Sequence, residues 1–200
     1  EFSYLNNKII TNSGYFQKEK HQLNSMSRSS VAHSTLVVDD TSIVKFNNTI
    51  YGDKYVKKYF NIIRKKVIKD TDKWILQAAH DSYKKKYNII HERQIEFFSK
   101  KLLLRGKDIL EKKTKNLSYN FEIRFHLHPK IKATKTIDNK SILLELEDSG
   151  WKFISDNNTI DVETGLYFGK KNFYSENRNI FISGEIKNEI QIINWELRKI

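Results

Sequence analysis

Phe121-Glu122-Ile123-Arg124-Phe125-His126-Leu127-His128, closed by Pro129, decides the fold class. Apolar and polar residues alternate without a break over eight positions. Successive strand side chains point to opposite faces, so the pattern predicts a half-buried strand with Phe121, Ile123, Phe125 and Leu127 on one core face. Working outward, similar short runs recur. Ile9-Ile10-Thr11 stops at Asn12-Ser13-Gly14, Thr35-Leu36-Val37-Val38 at Asp39-Asp40, and Ile43-Val44-Lys45-Phe46 at Asn47-Asn48. Trp74-Ile75-Leu76-Gln77-Ala78-Ala79 runs into His80-Asp81. Ile142 to Leu146, Ile180 to Ile182 and Ile190 to Leu197 complete the set. Many short apolar segments separated by regular turn signals predict an all-β, antiparallel β-sandwich.

The composition supports a packed core. The 200 residues include 3 Trp, 10 Tyr and 12 Phe, which excludes disorder as the main state. No apolar run approaches the ~20 residues of a membrane-spanning helix. With no cysteine, disulfides, thiolate catalysis and Cys-ligated zinc are excluded. The chain opens on Glu1-Phe2-Ser3 without a basic start and apolar stretch, so no signal peptide is expected within it. Lys+Arg 36 against Asp+Glu 24 gives +12, a surface that attracts polyanions. The excess is mostly Lys beside abundant Asn and Ile, the mixture an AT-rich coding sequence produces, so charge alone is weak support for a nucleic-acid partner.

One segment departs from the strand pattern. Over Lys54 to Lys69, Val56, Phe60, Ile63 and Val67 fall at helical spacing among lysines and arginine. This admits one short basic amphipathic helix near 54–69, or a bulged strand pair. Lys84-Lys85-Lys86 and Lys112-Lys113 read as loop or edge lysines.

Few residues carry obvious chemistry. His126-x-His128 puts two imidazoles on one strand face, a metal-gripping spacing or a pair packed on the sheet. His80-Asp81 offers an acid/base pair, although neighbours on a strand point apart. There is no HExxH, Walker loop, GxSxG or GxGxxG.

Read together and in order, several strings resemble one family. They are Ile9-Ile10-Thr11-Asn12-Ser13-Gly14-Tyr15, Arg28 to Asp40 with its Ala32-His33-Ser34-Thr35, Ala79-His80-Asp81-Ser82-Tyr83, His91-Glu92-Arg93, Arg105-Gly106-Lys107-Asp108, Arg124-Phe125-His126-Leu127-His128-Pro129, Gly150-Trp151-Lys152-Phe153 and Trp195-Glu196-Leu197. The set is similar to the C-terminal region of heparinase II/III-like polysaccharide lyases over nearly the whole chain. R-x-x-x-A-H-[NS]-T and R-F-H-L-H-P are its specific parts.

The resemblance implies a single β-sandwich domain over 1–200, following an N-terminal helical toroid of the same protein that these residues do not include. It implies a lyase that cleaves acidic, uronate-containing polysaccharide (a glycosaminoglycan or alginate) by β-elimination in the periplasm or cell envelope. The family's main acid/base His belongs to an H-x-H-x-D motif expected upstream of Glu1, so the isolated chain is expected to be inactive. A structural divalent metal, zinc, is implied for the intact protein, with His33 at a ligand position. The family's other position, an Asp, falls here on Asn12, and no metal is expected in this chain alone. Arg28 is a candidate for binding a substrate carboxylate, or for an ion pair anchoring a strand. Tyr15, Tyr83 and His80 are further cleft candidates, core packing being the other reading of the tyrosines. The absence of an obvious Asp/Glu pair suits a lyase better than a glycoside hydrolase. A non-catalytic carbohydrate-binding or structural sandwich is the alternative.

Overall fold

The computed structural model describes residues 1–17, 21–48, 54–58, 60–114, 116–156 and 159–200. The strands are β1 (Phe2–Tyr4), β2 (Asn7–Thr11), β3 (Leu36–Val38), β4 (Lys45–Asn48), β5 (Lys54–Lys58), β6 (Ile62–Lys69), β7 (Lys73–His80), β8 (Ile89–Phe98), β9 (Leu103–Lys112), β10 (Tyr119–Leu127), β11 (Lys132–Lys135), β12 (Ser141–Glu145), β13 (Gly150–Ser155), β14 (Thr159–Lys170), β15 (Phe173–Ile186) and β16 (Ile190–Lys199). Two short helices interrupt them, α1 (Gln22–Arg28) and α2 (Lys84–Tyr87). Among the described residues the strands form two antiparallel sheets and a separate β4–β5 hairpin. One sheet runs β1-β2-β10-β15-β14 with β3 also on β10. The other runs β11-β12-β13-β16-β9-β8-β7-β6. The all-β sandwich expected from the alternation is the observed fold.

β10 is the central strand of the smaller sheet. One edge pairs with β15 from Tyr119↔Ile186 to His126↔Asn179. The other is shared by two short strands, β3 opposite Phe121–Ile123 and β2 opposite His126 and Leu127. Phe121, Ile123, Phe125 and Leu127 are all buried, as the period-2 reading requires. Each such side chain contributes roughly 1.5–3 kcal/mol on leaving water. Between the sheets, Phe125 meets Phe153 (ring centroids 5.0 Å apart) and Trp195 (4.7 Å). Trp195 is admitted by Gly106, directly opposite it on β9. A Cβ at Gly106 would lie 1.9 Å from the indole Cζ2.

Residues 54–69 depart from the helical alternative. The segment makes β5 and β6, and no helix forms among its described residues. β6 is an edge strand with every residue exposed and a bulge between Ile62 and Arg64. Ile63 and Val67 are exposed on β6 while Val56 belongs to β5 and Phe60 to the residues between, so the four share no buried helical face. Lys84-Lys85-Lys86 open α2 rather than an irregular loop. Lys112 is no edge lysine: it is 4% exposed, and its ammonium donates to the carbonyls of Leu117, Ile186 and Lys187. No helix among the described residues is long and apolar enough to cross a membrane.

Candidate functional site: a pocket beside the Asn12 turn

β2 ends at Thr11 and the chain turns through Asn12, Ser13 and Gly14. Gly14 has φ +82° and would press a Cβ to 2.7 Å from the Phe168 carbonyl oxygen, so no larger residue fits this close approach. The turn is stitched to the residues after α1. The Ser13 amide donates to the Ala32 carbonyl (2.9 Å) and the Ser34 amide to Asn12 Oδ1 (3.0 Å). The Ser34 hydroxyl donates to the Thr11 carbonyl (2.6 Å) and accepts from the His126 amide (3.0 Å). His126 is the strut underneath. Its Nε2 lies 2.9 Å from the Val31 carbonyl and its Nδ1 3.1 Å from Ser13 Oγ, so Nε2–H donates and Nδ1 accepts. Burial pushes its pKa down to about 4, which keeps the ring neutral at pH 7.

These ties leave an open pocket of about 480 Å³ whose lining includes Glu1, Asn12, Tyr15, Arg28, His33 and Phe46. Arg28 ends α1, whose N-terminus is capped by the His21 ring accepting from the Leu23 amide. The Arg28 Nη2–H donates to the Tyr15 hydroxyl (2.6 Å), and its guanidinium lies 4.9 Å from the Tyr15 ring centre and 5.8 Å from that of Phe46. Among the described residues Arg28 has no carboxylate in ion-pair range. The His33 imidazole has no hydrogen-bond partner among the described residues. Partial burial lowers its pKa, so it too is neutral at pH 7. The tie to the Asn12 turn is made by Ser34, the next residue along.

The structure thus brings together Asn12, Tyr15, Arg28 and His33, and leaves Tyr83, His80 and His128 elsewhere. Tyr83 is fully buried and donates to the Leu36 carbonyl (3.0 Å), so no substrate reaches it. Burial raises its pKa. His128 lies beyond the end of β10 with its ring 5.4 Å from that of Tyr167, so His126 and His128 do not converge. No group of three or more metal-ligating side chains occurs among the described residues.

His80 belongs to a second, internal cluster. Ser82 Oγ lies 2.7 Å from His80 Nδ1, His80 Nε2 3.1 Å from His91 Nδ1, and His91 Nε2 2.7 Å from Asp108 Oδ1. Asp81, its sequence neighbour, turns away and accepts from Asn61. Asp108 is completely buried and also accepts from Arg93 Nε (2.8 Å), Arg93 Nη2 (3.1 Å) and Trp195 Nε1 (2.9 Å). Burial pushes its carboxyl up, but Arg93 and His91 outweigh that and hold it well below the usual range. Burial and the facing His91 bring the His80 pKa down to about 4. One Nη1–H of Arg93 donates to the Ser34 carbonyl (2.6 Å), linking this hub to the residue after His33.

A search of curated protein sequences finds no match. Among solved structures, the chain is similar to a heparan sulfate lyase, HepC from Pedobacter heparinus (TM-score 0.75, 16% identity). It is also similar to a heparinase III described as the BT4657 gene product (0.73, 14%) and to another heparinase III (0.71, 13%). In each case 96% of this chain is covered but only 28% of the other, so the chain spans little more than a quarter of their length. At such identities the likeness establishes the fold alone. The family profile described as heparinase II/III-like, C-terminal, matches residues 1–196. A match of that extent shows that the chain belongs to the heparinase II/III-like family as its C-terminal region.

Proposed function

We propose that this domain is the β-sandwich part of a lyase that cleaves uronate-containing polysaccharide by β-elimination, with the Asn12–Tyr15–Arg28–His33 pocket as its share of the substrate cleft. The carrying observation is that guanidinium, phenol, imidazole and amide, drawn from separate segments, line one open pocket. β-Elimination suits that cast. A base removes the proton on the carbon bearing the carboxylate, the electron pair becomes a C4–C5 double bond, and the glycosidic oxygen leaves with a proton. Charge develops on the carboxylate, where a fixed cation stabilises it. In this reading Arg28 pairs with that carboxylate. Tyr15, whose oxygen accepts from Arg28, keeps its O–H free to donate. The neutral His33 ring can accept a proton.

A divalent metal bound by the intact protein would lend positive charge and hold the strands at the turn. The residues present do not fit one unaided: they offer one imidazole, and Asn12 Oδ1 already accepts from the Ser34 amide. No step here depends on it. A helical toroid of the same polypeptide as the other cleft wall, and residence in the periplasm or cell envelope, belong to the same reading. Asn12 favours a second one, a glycan-binding sandwich without catalysis.

The test is the intact protein, metal-supplemented, incubated with heparin, heparan sulfate and alginate and followed in the ultraviolet for the conjugated double bond. Unsaturated product is expected from at least one. Arg28→Ala should lower the rate by about 10²-fold or more, the size seen when one oxyanion donor is removed. Tight binding without product from any polymer would replace the lyase with the binding module.

A further inference from the structure

The inner face of β6 and β7 is a second exposed surface, and its register defines it. Lys65 lies opposite Ala78, Val67 opposite Leu76 and Lys69 opposite Trp74. Across β7 the same rows continue to Arg93, Ile95 and Phe97 on β8. Arg93 points to the buried Asp108, which fixes this as the face turned toward the smaller sheet. Cover gives out at this edge: Val67 is 61% exposed, Leu76 46% and Trp74 45%.

Charge is sorted between the two faces of these strands. On the outer face Arg64 pairs with Glu92 and Glu111, and Lys73 with Glu96. On the inner face β6, β7 and β8 carry no Asp or Glu at all. Arg93 is matched by Asp108, but Lys65 and Lys69 have no carboxylate partner among the described residues. The Lys69 ammonium rests 4.9 Å from the Trp74 ring centre. The result is an apolar strip with an exposed indole, bracketed by two unmatched ammonium groups. Four residues apart on one strand, Lys65 and Lys69 stand about 13 Å from each other at ~3.3 Å per residue. That is room for more than one sugar ring.

We infer that this face is a subsite for a negatively charged sugar chain. A ring stacks its C–H face on Trp74, and flanking carboxylates or sulfates pair with Lys65 and Lys69. The acid-free face selects an anion, which a purely apolar partner would not require. The track leads toward the pocket, since Arg93 in the adjoining row holds the Ser34 carbonyl beside His33. The inference rests on the acidic-glycan reading above and extends it to residues that reading does not use.

Trp74 supplies the test, because the other two tryptophans, Trp151 and Trp195, are buried. The difference in acrylamide quenching between the protein and its Trp74→Phe variant therefore reports on Trp74, whatever tryptophans the rest of the polypeptide carries. The protein is titrated at low salt with heparin-derived oligosaccharides of defined length and with an uncharged malto-oligosaccharide of equal length. The charged sugar should shield Trp74 and the neutral one should not. Lys65→Glu with Lys69→Glu, both at exposed positions, should raise Kd by about tenfold or more, with an effect that fades in salt. Trp74→Ala, measured by calorimetry, should weaken binding while leaving both lysines in place. Unchanged quenching at saturation, equal shielding by the neutral sugar, or an unchanged Kd in the double reversal would overturn the site. So would shielding by anionic phosphatidylglycerol vesicles, or by raised protein concentration, without any by the sugar. Shielding is read without turnover. Shielding with no unsaturated product removes the elimination chemistry alone, and product with no shielding removes this site alone.

Discussion

Replacing Asp108 by Asn changes one oxygen to an NH2 at a completely buried position. The carboxylate accepts four N–H bonds, from His91, twice from Arg93, and from Trp195. An amide can accept on one side only, so its own N–H groups must face donors. Arg93 stays charged, with a side chain only 18% exposed, and loses its counterion. Removing one partner of a buried pair typically costs about 3–5 kcal/mol. Against a total stability of ~5–15 kcal/mol this is a large fraction. Urea unfolding followed by circular dichroism should show the midpoint falling by about 1–2.5 M, given a slope of ~2–3 kcal/mol/M. Asp108→Asn with Arg93→Met should recover part of the loss, because the stranded charge is gone. The acid limb carries a second signature. The folded pKa of Asp108 lies below its unfolded value, so its contribution is complete above the unfolded value near 3.8 and is lost as pH falls below it. That slope should be absent from the variant. A loss under about 1 kcal/mol at unchanged slope would refute the hub, since it would mean the four bonds are no better than those to water.

Three further outcomes follow from other buried groups. His126 has its folded pKa at about 4 against 6.5, so the unfolded chain takes up a proton first and stability falls as pH drops from 6.5 toward 4. The loss from this residue should be about 2 kcal/mol at pH 5 relative to pH 7.5, read by urea titrations at the two pH values, and His126→Gln should flatten the dependence. Gly106→Ala drives a methyl into the Trp195 ring and should cost at least about 1–3 kcal/mol, with a changed near-ultraviolet dichroism as the indole tilts. Lys112→Met keeps the bulk but leaves the Leu117, Ile186 and Lys187 carbonyls without their donor. A loss of about 3 kcal/mol or more is expected in thermal unfolding, and a neutral result would mean that water replaces the ammonium.

What was legible in the sequence follows from where each residue sits relative to water. β10 announces itself because one of its faces is buried and the other is not, and only that asymmetry writes a period of two. β6, open on both faces, writes none, so its sequence also admits a helix and only the pairing with β7 distinguishes the two. The four pocket residues came from the family strings rather than from any local period, since a turn, a helix end and a 3-10 turn have none in common. Ser34, which ties that turn, sits within the same string beside His33, and no sequence pattern marks its role.

The buried charges were concealed differently. Composition counts Lys112 and Asp108 among a solvated majority, yet β9 alternates from Leu104 through Gly106, Asp108 and Leu110 to Lys112, and every one of those five is buried. The strand's own period therefore placed both charged residues on the core side, and a charge there demands partners. Which partners they are depends on register. His80 faces His91 directly across β7 and β8, and the acid that completes their chain is Asp108 rather than the adjacent Asp81. Sequence adjacency puts Asp81 on the opposite side of the strand from His80, so the nearest acid in the chain was the one the backbone geometry excluded. Only the pairing of three strands could supply the other.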